Sequence, residues 1–262
     1  MTTQSEMPGH PASGSMRPEG PATVGPPARR SAFPPISDYA FLSDGEVTAL
    51  IAPSSNVEWM SIPRMDSPSI FGAMLDRDAG VFRFGPADVR VPASRRYVPG
   101  TMIVETSWST KTGWLIVRDV LLMGPWHHDH DRSKTHRRPP TDYEAEHTLL
   151  RMVRCVNGEV QLALDCEPVL DYGRLYGSWE YSGDGYREGT YTAEGSDLRL
   201  TLISDLNLGF EGPRAIAHSL VKESEVRFCA LSWGSRPGPA DSDEAYRRLV
   251  WTAHHWQHWL AR

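Results

Sequence analysis

Short apolar segments separated by turn residues run through most of this 262-residue chain. Between Ile36 and Trp233, about a dozen such segments follow one another every 8–12 residues or so, with no helical pattern between them. A chain with this pattern can bury its apolar faces only by pairing strands and stacking the resulting sheets. The pattern therefore predicts an all-β fold, a large two-sheet antiparallel β-sandwich.

Two turn signals within this region predict hairpins. Residues 53–56 (Pro-Ser-Ser-Asn) separate two apolar segments and are typical of a hairpin turn. Asn157-Gly158 lies between Leu149–Val156 and Glu159–Cys166. Because Asn-Gly supplies the positive φ angles of a type I′ turn, we expect these two segments to fold back on each other.

The two ends of the chain differ from this middle region. Residues 1–32 contain six Pro and four Gly without hydrophobic periodicity, which predicts a disordered leader. The sandwich is expected over 33–236, with a flexible His-rich loop at 124–142. Residues 237–262 are interpreted as a linker followed by a helix.

The predicted C-terminal helix begins with Asp241 as its N-cap, since Glu244 follows three residues later. Its apolar residues Leu249, Trp256, Trp259 and Leu260 share one face at a period of 3.6 residues. A helix face this aromatic requires a partner surface.

Charge and cysteine content exclude several classes of protein. The net charge of −6, without a long basic run, disfavours nucleic acid or anionic lipid as a partner. Cys155, Cys166 and Cys229 are odd in number and widely spaced, which predicts reduced thiols in a cytoplasmic protein. Neither a membrane span nor a secretory signal is predicted.

One group of residues has the composition of a metal site: His127, His128, Asp129, His130, Asp131 and His136. The group lies between Gly124-Pro125 and Pro139-Pro140, in the predicted flexible loop. Ordering such a loop around a metal costs conformational entropy. We interpret it as a solvated insertion and assign no metal ligand, with zinc binding that orders the loop as the alternative.

Several motifs in order along the chain resemble one known family. They are Ile36–Gly45, Val57–Gly72, Arg96–Thr101, Arg118–Leu121, Glu167-Pro168 with Asp171–Gly173, Phe228–Gly234, and Trp256–Leu260. From about residue 33 to 262 they resemble the N-terminal domain of family 15 glycoside hydrolases of the trehalase and glucoamylase type. Glu58 stands where that family usually has Asp, and Met65 where it usually has Phe.

The resemblance implies a β-sandwich joined by a helical linker to a catalytic (α/α)6 barrel, which would begin after Trp259. Family members invert the anomeric centre with two carboxylic acids, and both lie in the barrel. No catalytic residue is therefore assigned here, and the chain alone is expected to be inactive. The implied parent is an α,α-trehalase, which cleaves trehalose to two glucose molecules. No cofactor is assigned to this chain, although phosphate and magnesium are implied for a full-length trehalase.

The loop at residues 63–68 admits two interpretations. Arg64 and Asp66 can form an ion pair that stiffens the loop between its prolines. Alternatively Trp59, Arg64 and Asp66 face the barrel and shape the sugar pocket, with the Trp59 ring against a sugar face. The resemblance further implies that Trp256, Trp259 and Leu260 contact the barrel in cis.

Three other functions compete with a trehalase domain. The parent enzyme can be of the glucoamylase type, acting on maltose-like substrates. The chain can be an independent carbohydrate-binding β-sandwich, with Tyr and Trp on its outer faces stacking on sugars. A third reading is a standalone sugar epimerase that uses His and Glu as acid and base.

Overall fold

The computed structural model describes residues 33–124 and 145–261, and every strand pair in it is antiparallel. The strands are β1 (Ala40–Ser43), β2 (Thr48–Ile51), β3 (Asn56–Ser61), β4 (Ser69–Phe71), β5 (Val81–Pro86), β6 (Ser94–Tyr97), β7 (Val104–Ser109), β8 (Gly113–Met123), β9 (Ala145–Glu167), β10 (Leu175–Tyr176), β11 (Ser178–Tyr181), β12 (Glu188–Thr192), β13 (Leu200–Ser204), β14 (Gly209–Glu211), β15 (Arg214–Lys222) and β16 (Val226–Ser232). A 3₁₀ turn (Ile36–Asp38), a one-turn helix α1 (Leu170–Gly173) and a long helix α2 (Ser242–Leu260) complete the described elements. The predicted all-β class is confirmed.

The strands form two sheets that share β9. Sheet A contains β1–β5, β14, β15 and the second half of β9. Sheet B contains β6–β8, β11–β13, β16 and the first half of β9. Met60 and Phe82 of sheet A join Trp108 and Leu231 of sheet B in one fully buried cluster. The core therefore lies between two layers, as in a β-sandwich.

The hairpin predicted at Asn157-Gly158 is wrong, whereas the one at residues 53–56 is confirmed by the pairing of β2 with β3. β9 continues through Asn157-Gly158 for 23 residues. Its first half pairs with β8 and β16, and its second half with β5 and β15. Gly158 has φ of +64°, and a Cβ there would lie 2.1 Å from the Thr112 carbonyl oxygen. The glycine therefore marks the place where β9 passes between sheets against the β7–β8 turn.

A buried arginine connects the two layers. Arg151 is fully buried in β9, and its Nε donates to Asp119 Oδ1 at 2.8 Å. Its two terminal nitrogens donate to the carbonyl oxygens of Phe82 in sheet A and of Ser55 in the β2–β3 turn, at 2.8 and 2.7 Å. Because each bond involves an ionised donor inside the core, the guanidinium holds sheet B against sheet A by charge-assisted hydrogen bonds.

Helix α2 packs on the outer face of sheet B. The predicted N-cap is confirmed, since Asp241 Oδ1 accepts from the Glu244 backbone N–H at 2.7 Å. Ala245 and Leu249 pack with strand residues in a second buried cluster. This cluster attaches the helix to the sandwich. No helix among residues 33–124 and 145–261 is long and apolar enough to cross a membrane.

An ion-pair cluster further fixes the helix. Arg248 of α2 lies 3.2 Å from the buried carboxylate of Glu146 in β9, and Arg236 approaches the same carboxylate at 3.3 Å. Burial raises the pKa of Glu146, and the two arginines act against that rise. Arg248 also pairs with Glu244 one turn earlier. The orientation of α2 is therefore set by the sandwich.

Replacing Arg151 by Leu is expected to destabilise the chain by about 3–5 kcal/mol, because Asp119 would remain buried without its partner. The matched control is Arg96→Leu, which removes a 68% exposed arginine from its pair with Glu105 and is expected to cost about 1 kcal/mol or less. Urea unfolding of both variants measures the difference. Equal losses would contradict the bridging role of Arg151.

Gly158→Ala is expected to destabilise the chain more than Gly195→Ala. Both glycines have positive φ, but an added Cβ meets backbone only at Gly158 and nothing within 4 Å at Gly195. Alanine in the left-handed region costs about 1–2 kcal/mol at either site, and the clash adds about 1–3 kcal/mol at Gly158. Free energies of unfolding test this. Equal costs would instead fit an open turn at Asn157-Gly158.

Candidate functional site

The loop at residues 62–68 connects β3 to β4 and carries the predicted ion pair. Arg64 Nε and Nη2 donate to the two carboxylate oxygens of Asp66 at 3.0 and 3.1 Å. The Ser67 backbone N–H donates to the Arg64 carbonyl oxygen at 3.0 Å, which closes a tight turn. The two side chains are 75% and 66% exposed. The pair therefore shapes the loop while leaving both charged groups accessible to solvent.

Trp59 belongs to an exposed apolar row on the outer face of sheet A. It pairs across the strands with Leu50, which pairs in turn with Phe41, so the three side chains lie on one face. Beyond Trp59 lies Tyr172, with ring centroids 6.4 Å apart. We call Phe41, Leu50, Trp59 and Tyr172 the outer row. Phe41 and Tyr172 are exposed, and the other two are half-buried.

Glu58 anchors β3 on the side of the strand away from this row. Its buried carboxylate accepts a hydrogen bond from the Tyr39 hydroxyl at 2.5 Å and lies 2.6 Å from Arg77. Burial, together with the nearby Glu58 carboxylate, raises the pKa of Tyr39, so the phenol stays protonated. The Arg77 guanidinium also stacks on the Phe33 ring at 3.9 Å. These contacts therefore hold β3 in place on the face of the sheet opposite to Trp59.

The turn that presents Tyr172 has an unusual backbone. Asp171 and Tyr172 both adopt left-handed conformations, with φ of 50° and 57°, and Gly173 follows with φ of 87°. Each non-glycine residue in this region costs roughly 1–2 kcal/mol. A Cβ on Gly173 would lie 2.6 Å from the Ala79 Cβ, so only glycine fits the close packing there. Strain of this kind concentrates at functional sites.

The predicted helix face is divided between two environments. Leu249 is buried against sheet B, so for this residue the partner surface that the helix face requires is the sandwich itself. Trp256 is half-buried and contacts Trp259 edge-to-face, with centroids 6.0 Å apart. Trp259 and Leu260 are 56% and 60% exposed. The buried stripe therefore ends at His255, and the last turn of the helix projects two apolar side chains into solvent.

This helix end is connected to the outer row through the β6–β7 turn. A Cβ on Gly100 would contact Gln257 and Leu260 at 3.4 and 3.8 Å, so that turn lies against the end of the helix. At the start of the same turn, the Tyr97 hydroxyl donates to the Phe41 carbonyl oxygen at 3.0 Å. Tyr97 is itself 43% exposed. A chain of contacts thus leads from α2 to Trp59.

The structure brings together only part of the predicted site. Trp59 contacts Tyr172, and Arg64 pairs with Asp66 in the loop that follows Trp59's strand. No role was predicted for Asp171 or Tyr172, because the identities of the residues around them do not reveal that both have a left-handed backbone conformation. The His127–His136 cluster lies outside the described residues. Within the described ranges, no group of three His, Cys, Asp or Glu side chains could hold a metal ion.

Comparisons with known proteins relate this β-domain to trehalases. The fold and the exposed side chains define an antiparallel β-sandwich with a helix packed on one outer face and the apolar outer row on the other. Residues 29–131 match the family described as "Trehalase-like, N-terminal". The chain is 50% identical over 252 residues to a trehalase of Mycolicibacterium smegmatis and 52% identical over 234 residues to one of Mycobacterium tuberculosis.

These alignments cover most of this chain but a minor part of each relative. They include 92% and 88% of the chain, and only 38% and 34% of the two mycobacterial proteins. A trehalase of Sulfolobus acidocaldarius, "Trehalase 1", is 25% identical over 77% of the chain and 31% of its own length. The chain is therefore similar to about a third of a trehalase.

Arg64→Ala is expected to change the free energy of unfolding of the chain by less than about 1 kcal/mol, since its ion pair is exposed. Arg214→Ala is the matched control, because Arg214 makes the same two-bond contact with Asp165 at a largely buried position. That variant is expected to cost about 1.5–3 kcal/mol. Chemical denaturation compares the two. A large loss for Arg64→Ala would assign the pair a mainly structural role.

Proposed function

We propose that this chain is the non-catalytic N-terminal domain of an α,α-trehalase, a family 15 glycoside hydrolase that converts trehalose to two glucose molecules. The observation that carries the proposal is the match to trehalases at about 50% identity over most of this chain and about a third of theirs. The remaining length of such an enzyme is available for a catalytic domain. Under this proposal that domain is an (α/α)6 barrel that packs against the sandwich in cis.

The exposed apolar surface supports this partner. The outer row and the last turn of α2 expose aromatic and aliphatic side chains that their own domain leaves uncovered. Exposed apolar surface of this kind is typical of a contact with another domain. In our proposal Trp256, Trp259 and Leu260 pack against the barrel where the helix leads into it. The fixed orientation of α2 then determines how the barrel sits on the sandwich.

The chemistry belongs to the partner domain. Inverting hydrolysis requires one carboxylic acid to protonate the leaving oxygen and a carboxylate to activate water, with about 6.5–9.5 Å between them. We place both groups in the barrel and neither in this chain. Phosphate and magnesium, if the enzyme requires them, act there as well. The three buried, unpaired cysteines support a reducing, cytoplasmic environment for the whole protein.

The 62–68 loop contributes to the substrate pocket in this proposal. The Trp59 ring offers an apolar surface to one face of a glucose unit, while Arg64 and Asp66 hydrogen-bond to sugar hydroxyls. The exposure of the ion pair supports this role, because both side chains keep donor and acceptor sites available to a ligand. The rigid loop reduces the entropy lost on binding.

The isolated 262-residue chain is expected to release no glucose from trehalose or maltose, because it lacks the acid and the base. The full-length polypeptide is expected to hydrolyse trehalose. A coupled glucose assay on both proteins measures this. Maltose cleaved in preference to trehalose would favour a glucoamylase-type parent, and glucose release by the isolated chain would contradict the proposal.

Titration calorimetry on the isolated chain separates this proposal from an independent carbohydrate-binding module. We expect no binding of trehalose or maltose with a Kd below about 1 mM, which corresponds to roughly −4 kcal/mol. A tighter Kd for the isolated chain would favour the binding-module function instead.

A further inference from the structure

The backbone at Asp171 and Tyr172 is held in its left-handed conformation by the structure around it. On either side of the turn, Val169 bridges to Tyr176 and Leu170 to Leu175. Leu170 is 3% exposed and fixes the start of the turn in the core. The turn is therefore a rigid projection and its conformation is imposed by the sandwich.

A single buried phenol ties together the two ends of this projection. The Tyr191 hydroxyl donates to the Pro168 carbonyl oxygen at 2.6 Å and accepts from the Gly177 backbone N–H at 2.6 Å. Burial raises the pKa of Tyr191 to about 12, so the hydroxyl remains a donor throughout the physiological range. The Tyr191 side chain of β12 therefore holds together the two ends of the segment 168–177.

This strained turn leaves about half of each side chain that it presents exposed to solvent. The Asp171 side chain is 48% exposed and forms an ion pair with the 76% exposed Arg174, at a distance of 3.8 Å. Tyr172 is 46% exposed, and its ring centroid lies 6.4 Å from that of Trp59. Glycine would adopt both conformations without strain. Packing within this domain therefore accounts for only part of the choice of Asp and Tyr at these two positions.

The position of the turn relates it to the 62–68 loop. Helix α1 packs beside β4, the strand that the loop enters. Trp59 lies just before the loop and contacts Tyr172 across the gap between the two segments. The two adjoining segments thus present the rings of Trp59 and Tyr172, the half-exposed carboxylate of Asp171 and the exposed Arg64–Asp66 pair. Apolar rings with a few fixed hydrogen-bonding groups are the chemistry that binds a pyranose.

We propose that Asp171 and Tyr172 are substrate-contacting residues, with Tyr172 extending the Trp59 surface against a glucose ring and Asp171 accepting hydrogen bonds from its hydroxyls. The inference rests on the function proposed above, because the second half of the pocket must come from the catalytic domain. The ligand class is a glucose disaccharide. The strained backbone preorganises both side chains before the sugar arrives.

The test uses the full-length polypeptide with Asp171→Asn and Tyr172→Gly. Asparagine tolerates the left-handed region and keeps the size of Asp171 while removing its charge. Glycine relieves the strain at residue 172 while removing the ring. We expect Asp171→Asn to raise KM for trehalose about tenfold, the loss typical of one hydrogen bond to a charged group. Tyr172→Gly is expected to raise KM to a similar extent while the melting temperature stays unchanged or rises.

Tyr176→Ala is the matched control. Tyr176 is a 53% exposed tyrosine on β10, four residues beyond Tyr172, with an ordinary backbone conformation. We expect the KM of the Tyr176→Ala enzyme for trehalose to equal that of the unmodified enzyme.

The possible outcomes separate the inference from the proposed function. Active enzyme with KM unchanged within about twofold in both variants, a difference of about 0.4 kcal/mol, would overturn the inference alone. A lowered melting temperature with unchanged KM in Tyr172→Gly would assign Tyr172 to domain packing and also overturn it. A full-length protein that releases no glucose from trehalose or maltose would overturn the proposed function, and the inference with it.

Discussion

The side chain of Arg151 determines how the two sheets of this domain meet. A guanidinium is stable in a core only when its charge and its donors are satisfied, and here Asp119 supplies the charge while Phe82 and Ser55 supply backbone acceptors from the opposite layer. Each acceptor constrains a different segment of chain. The position of residues 53–55, directly before the strand that carries Trp59, therefore depends on an arginine in the other sheet.

Strand β9 makes this arrangement possible because it belongs to both layers. Its first half carries Arg151 in sheet B, and its second half ends at Glu167, immediately before the strained turn. Both segments of the candidate site are consequently attached to the centre of the sandwich, one through Arg151 and the other through β9 itself. Rigid attachment of this kind suits a surface that contributes to a binding pocket, because little conformational entropy remains to be lost on binding.

The candidate site was predictable in part. Trp59, Arg64 and Asp66 were predicted from a local motif, and an Arg–x–Asp spacing within a proline-bounded loop allows the ion pair that the structure contains. Tyr172 lies 113 positions beyond Trp59 in the chain, so their contact depends on how β3 and the end of β9 assemble. Helical periodicity placed Leu249 on one face with Trp259 and Leu260, but it does not specify where the covering sheet ends, so the burial of Leu249 alone among these three depends on the tertiary structure.

The all-β class, the N-cap of the C-terminal helix and most strand positions follow from local sequence signals, because alternation, turn residues and capping residues act over a few neighbours. The path of the chain at Asn157-Gly158 depends instead on the assembled sheets. An isolated Asn-Gly favours a tight turn, but here the Gly158 backbone bends against the Thr112 carbonyl and β9 runs on into the second sheet. Pairing with four long neighbouring strands outweighs the local preference, since each half of β9 gains hydrogen bonds on both edges that a two-stranded hairpin would lack.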